Sequence, residues 1–180
     1  MSKKSILVIL PHQLYVTKTM VKEYRSTYLV EEPIFFYDKV YKPFKPNKVK
    51  LAYLRACMKA YQKQFTTKST PITYINYHDF DTFANKLRSQ EHASHTITIY
   101  DPMDKELIIK YTKLFGSDRL NILPSLDLLI DKETLESKYF KSHQNSQRHA
   151  SFYEFIKKEL NILKGVRNLD KENRSPPPKE

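Results

Sequence analysis

The sequence predicts a doubly wound α/β domain built on a five-stranded parallel sheet, of Rossmann-like or flavodoxin-like order. Three observations carry that expectation. The chain opens on an unbroken apolar, β-branched run, Ser5-Ile-Leu-Val-Ile-Leu10, as a strand buried on both faces of a parallel sheet requires. Four further short runs follow: Pro33–Tyr37, Ile72–Tyr77, Thr96–Tyr100 and Leu120–Leu123. Helical patterns rather than hairpin turns separate them, and right-handed crossovers then make 3-2-1-4-5 the leading strand order.

The elements follow in turn. Between the second and third strands, Leu51, Leu54, Met58, Tyr61 and Phe65 recur at alternating intervals of three and four residues. That spacing forms one apolar stripe on a helix from Lys48 to Phe65, with Arg55, Lys59 and Gln62 outside it. Asn47 is its expected N-cap. Phe80–Arg88 and Met103–Phe115 are the next helices, the latter with Asp101 as N-cap and Pro102 at its first position. After Pro124 two shorter helices are expected, Asp131–Phe140 and Phe152–Leu163, separated by the polar stretch Lys141–Ala150. Residues 1–140 thus read as the α/β domain and 141–180 as a helical connector with a Pro-rich tail. Pro176-Pro177-Pro178 cannot continue a helix and favour an extended linker.

Composition excludes several classes of function. The chain has 180 residues, long enough to bury a substantial core. Its 2 glycines, Gly116 and Gly165, rule out Walker A, G-x-G-x-x-G and G-x-S-x-G motifs, whose backbones need clustered glycines. A hydrolase reading fails with them, for want of a nucleophile motif. Cys57 stands alone, so the chain has neither an intrachain disulfide nor the thiolates for an iron–sulfur cluster. The run Ile6–Leu10 is too short for a signal-peptide core or a membrane span, which points to a soluble, intracellular, cytoplasmic protein without a membrane partner. With 31 Lys+Arg against 20 Asp+Glu, the formal charge is +11. The excess favours anionic partners, including weak non-specific nucleic acid.

Few residues stand out as chemistry. Pro11-His12-Gln13-Leu14 follows the first strand, where open α/β sheets bind ligands; the turn could instead satisfy its own backbone. Lys48 and Lys50 lie in the first turn of the long helix, where cations oppose the dipole. They could form an anion or polar-ring site with the free N–H groups, or simply be solvated. Glu31 and Glu32 are read as just preceding the second strand. Asp101-Pro-Met-Asp104 fits ordinary capping better than catalysis. His92 and His95 could share a metal, but no Cys or carboxylate completes a ligand set.

Several segments, in order, resemble the cryptochrome/photolyase family, in the branch of iron–sulfur bacterial cryptochromes and prokaryotic (6-4) photolyases. Leu7-Val-Ile-Leu-Pro-His-Gln-Leu-Tyr15 looks like its opening strand and turn, and Tyr28-Leu-Val-Glu-Glu-Pro-Ile-Phe-Phe36 like its second-strand motif. Asn47-Lys-Val-Lys-Leu51, continuing through Arg55-Ala-Cys-Met-Lys59, is similar to its H-K-x-K-L…R-A-x-M-K helix, with Asn47 in place of the His. Asp101-Pro-Met-Asp104, Asn121-Ile-Leu-Pro-Ser125, Ser151-Phe-Tyr153, Leu160-Asn-Ile-Leu163 and Asp170-Lys-Glu-Asn-Arg174 match further segments. The resemblance implies the N-terminal antenna domain and connector, without the helical domain that holds FAD, the cluster cysteines and the lesion pocket. FAD and an iron–sulfur cluster are therefore not expected on this chain, nor catalysis by it alone. A separately encoded FAD-binding helical domain is the implied partner, and light-dependent DNA repair or signalling the implied setting. The implied pigment is 6,7-dimethyl-8-ribityllumazine or a flavin-like ring, held by His12, Gln13, Glu31, Lys48 and Leu51. The rival reading is a basic nucleic-acid-binding accessory protein that keeps only the fold.

Overall fold

A computed structural model describes residues 5–41, 45–89, 93–143 and 149–165. Five strands, β1 (Ser5–Ile9), β2 (Ser26–Val30), β3 (Ile72–Ile75), β4 (Thr96–Tyr100) and β5 (Leu120–Leu123), form one sheet in the order β3-β2-β1-β4-β5. Every pairing is parallel. This is the expected doubly wound arrangement, with β1 central and the direction of winding reversing between β1 and β4.

The apolar run of β1 is buried because both its faces are covered. Ile6 and Val8 enter one core with Phe80, Phe83 and Leu87 of α4 (Phe80–Arg88) and Leu107, Tyr111 and Phe115 of α5 (Lys105–Phe115). Leu7 and Ile9 enter the other with Val21 of α1 (Lys18–Val21) and Met58 and Tyr61 of α3 (Lys48–Phe65). Each fully buried aliphatic side chain contributes roughly 1.5–3 kcal/mol, so the two cores hold the sheet from both sides. Asn47 caps α3 as expected, its side chain accepting from the Val49 and Lys50 amides at 2.8 and 3.4 Å.

Within the α/β domain, two elements differ from the sequence reading. The second strand is Ser26–Val30, not Pro33–Tyr37, and Pro33–Phe36 is instead a single helical turn, α2. The run Pro-Ile-Phe-Phe has strand-like composition, but Glu32 caps it by accepting from the Ile34 amide and Pro33 suits the first helical position. Glu31 and Glu32 therefore follow the strand and stand at its carboxyl end. The start of α5 also moves. Asp104, not Asp101, is its N-cap, accepting from Glu106 and Leu107 amides at 2.9 and 3.4 Å. Asp101 accepts from the Met103 amide at 2.8 Å in the preceding turn, and Met103 takes a left-handed φ of 59°. Pro102 thus lies in that turn, outside the helix.

The chain divides into two compact units, Met1–Asp127 and Leu128–Glu180. In the second, α6 (Lys132–Thr134), capped by Asp131, continues into the π-helical Leu135–Phe140, and α7 covers His149–Glu159. Buried Tyr139 gathers His143, Phe152 and Phe155, with ring centroids 4.5, 5.2 and 5.1 Å away. The last helix starts earlier than expected and ends at Glu159; Asn161 and Leu163 then turn left-handed, φ 55° and 52°. His92, the Asp170–Arg174 motif and the three prolines lie outside the described residues.

Candidate functional site

With β2 ending at Val30, two adjacent glutamates emerge beside the turn that follows β1. Glu31 turns to the α3 side. Its side chain is fully buried, yet it accepts four bonds: Arg55 Nε at 2.5 Å, Arg55 Nη2 at 2.6 Å, the Tyr74 hydroxyl at 2.6 Å and the Tyr77 amide at 3.0 Å. Burial raises the Glu31 pKa, but these bonds outweigh it and hold the carboxyl below its ordinary value. The Tyr74 hydroxyl is pushed up by burial and by its bond to that carboxylate. Arg55 remains 49 % exposed and passes over the Phe36 ring at 5.3 Å. Lys59, one turn on, lies 3.2 Å from the Tyr74 ring centroid. A cation–aromatic surface therefore rests on a carboxylate base.

Glu32 turns to the α5 side. Its Oε1 accepts from Lys110 Nζ at 2.6 Å and its Oε2 from the Tyr111 hydroxyl at 2.9 Å, and the same ammonium reaches Asp38 at 2.9 Å. Burial dominates here and raises the Glu32 pKa despite Lys110. Burial would raise Asp38 too, but two backbone amides and Lys110 carry it below its ordinary value. The network ties the segment after β2 to α5.

The other sequence-derived residues have distinct places. Gln13 is buried; its Nε2 donates to the Tyr100 carbonyl at 2.8 Å and its Oε1 accepts from the Leu10 amide at 3.3 Å. It bridges the ends of β1 and β4, where the winding reverses. His12 lies beside it, stacked on Phe35 with centroids 4.9 Å apart. Both ring nitrogens are shielded from solvent, and the Pro102 backbone is the polar group nearest to them. Burial lowers the His12 pKa, opposed in part by Asp127, the Pro102 backbone and Asp104. Lys48 is exposed at the start of α3, and Leu51 is half-buried against the core. Leu51 stands one turn before Arg55 on that helix. Thus Glu31 is joined to the α3 surface through Arg55, while Gln13 is engaged with the backbone.

Arg55, Tyr74 and Phe35 did not emerge from the sequence as site residues. A signal for Arg55 existed: it stands one heptad after Lys48 and four residues before Lys59, so all three share a flank of α3. Tyr74 and Phe35 gave none, because each reads as an ordinary core aromatic.

The all-parallel sheet, with helices on both faces, defines a doubly wound α/β protein of Rossmann-like or flavodoxin-like order. Residues 7–180 match the model of the deoxyribodipyrimidine photo-lyase-related proteins, and the chain belongs to that family. It is 26% identical over 174 residues to an uncharacterized protein of Acanthamoeba polyphaga mimivirus, a match covering 89% of this chain and 85% of that one. No solved structure gave a significant match. No helix among the described residues is long and apolar enough to cross a membrane.

Proposed function

We propose that the chain is an antenna-type domain that holds a polar heteroaromatic pigment at the carboxyl edge of its sheet. The ligand class is a ribityllumazine, 6,7-dimethyl-8-ribityllumazine in the first instance, or a flavin-like ring. A separately encoded FAD-binding helical domain would use the absorbed energy, in DNA repair or signalling. Membership of the photolyase-related family supports the class of function. The observation that carries the site is His12: a buried imidazole stacked on Phe35 beside the turn that follows β1, whose only polar neighbour on its ring nitrogens, among the described residues, is the Pro102 backbone. A buried polar ring so poorly partnered is costly, and a ligand atom beside it would supply a further bond. Lys48 and the exposed edge of Arg55 would donate to ring carbonyls, with Leu51 against the ring. Glu31 would act by holding Arg55, since both its oxygens are engaged.

The test is a titration of wild type and Lys48→Ala with the lumazine, followed by ligand fluorescence. A charge-assisted bond of about 1.5–3 kcal/mol predicts at least roughly tenfold weaker binding by the variant, with folding unchanged because Lys48 is exposed. Wild type without saturable binding would remove the antenna role. Equal binding by both would move the pocket elsewhere.

One observation favours the rival reading. Helix α3 carries Lys48, Lys50, Arg55, Lys59 and Lys63 and no acidic residue, with Tyr53 72% exposed on its outer side. Such a surface suits weak, sequence-blind nucleic-acid binding that falls steeply with salt. A colourless purified protein with that salt dependence would favour it.

A further inference from the structure

The opposite, amino edge of the sheet carries a cavity of about 350 Å³, formed where α1 leads into β2 and where the chain enters β3. Its polar lining is Lys22, Arg25, Ser26, Thr27, Ser69 and Thr70, with no carboxylate among them. Val21, Tyr24 and Pro71 complete the wall. Lys22 and Arg25 are exposed, and neither has an ion-pair partner among the described residues.

Thr27 is the independent observation. It lies in register with Leu7 on β1 and Ile72 on β3, both members of the apolar core on that face. The pattern requires a third apolar side chain there, yet the chain places a hydroxyl. Thr27 is only 3% exposed, and its hydroxyl has no hydrogen-bond partner among the described residues. The hydroxyl is not among the buried atoms left without a partner, so it opens into the cavity, beneath two cations that have no ion-pair partner among the described residues.

We propose that this cavity binds a phosphate monoester of mononucleotide size. Arg25 offers a planar fork and Lys22 a mobile point charge, the two standard ways of holding phosphate oxygens. Thr27 and Ser26 add hydroxyl donors from the floor. The Ser69 and Thr70 hydroxyls are already drawn together through Thr67 Oγ1, at 3.1 and 2.6 Å, which fixes the far rim. Tyr24 and Pro71 leave an apolar wall for the organic group. The volume falls in the usual range for small-molecule sites, about 300–1,000 Å³. The site lies at the other end of the strands from the pigment crevice, so neither reading depends on the other.

Calorimetric titration with adenosine monophosphate, adenosine and inorganic phosphate tests it. Wild type should bind the monophosphate saturably and adenosine on the order of tenfold more weakly or not at all. Arg25→Ala should lose roughly tenfold or more, as expected when a charge-assisted contact is removed. Thr27→Val should bind several-fold more weakly while the unliganded protein melts at about the same temperature, because the lost hydroxyl bonds no other described residue and faces the cavity. A 5′-phosphorylated oligonucleotide separates the sources of the phosphate: a free small molecule predicts no tighter binding by the oligonucleotide. The proposal is overturned by absence of saturable monophosphate binding, by equal binding of adenosine, or by wild-type affinity in both variants.

Discussion

Glu31 and Glu32 are joined by one peptide bond, are both fully buried, and have opposite electrostatic fates. Glu31 meets a guanidinium that is half in solvent, accepts four bonds, and is held below the ordinary carboxylate range. Glu32 shares one nearly buried ammonium with Asp38, and burial carries it above that range. The difference lies in the number of donors each carboxylate receives and in how dry its cation is. The α3 side therefore keeps a cation half in solvent, whereas the α5 side closes its charges into a lock between the segment after β2 and a helix 72–79 residues further on.

The lock should break hardest. Lys110→Met leaves two carboxylates without their shared cation and should cost about 3–5 kcal/mol, as removal of one partner of a buried pair does. Adding Glu32→Gln should recover a large part of it. Chemical denaturation of the single and double variants measures both, and a loss under about 1 kcal/mol for the single variant would show that the network is solvated.

Arg55→Ala should cost less, about 1–2 kcal/mol, since Tyr74 and the Tyr77 amide still satisfy Glu31 and half the guanidinium is already hydrated. The same variant should weaken the lumazine in the titration described above. A loss as large as that of Lys110→Met would mean that the two sides are equivalent, contrary to the comparison.

The smallest effects are in pH dependence, and their signs are opposite. A carboxyl with a depressed folded-state pKa adds stability above its unfolded pKa that is lost as pH falls through the folded value. Glu31→Gln should therefore flatten the acid limb of the stability profile. Glu32 is raised, so stability falls as pH rises from its unfolded pKa toward its folded one. Glu32→Gln should remove that fall. Urea denaturation from pH 3 to 7 reads both slopes, and slopes of the same sign would contradict the assignment of one or the other.

The sequence by itself determined the sheet. Five short strands alternating with helices, two of them too apolar for anything but burial, leave little choice of class, and the 3-4 spacing of α3 fixed its inner face and its length. It determined the Asn47 cap as well, because a cap is local chemistry. It misplaced β2, since Ser26–Val30 and Pro33–Phe36 have comparable strand composition. Only the pairing of Ser26–Val30 with both β1 and β3 decides between them, together with the Glu32 cap that turns Pro33 into a helix start. That one displacement carried Glu31 and Glu32 from the entry of a strand to its exit. Their partners, Arg55, Tyr74, Lys110 and Tyr111, lie 24 to 79 residues away. A hydrogen bond or an ion pair forms over about 3 Å in space and leaves no trace in sequence spacing at that distance. The tertiary structure alone therefore decided which glutamate anchors Arg55 on α3, which one locks the fold, and which hydroxyl is left facing a cavity.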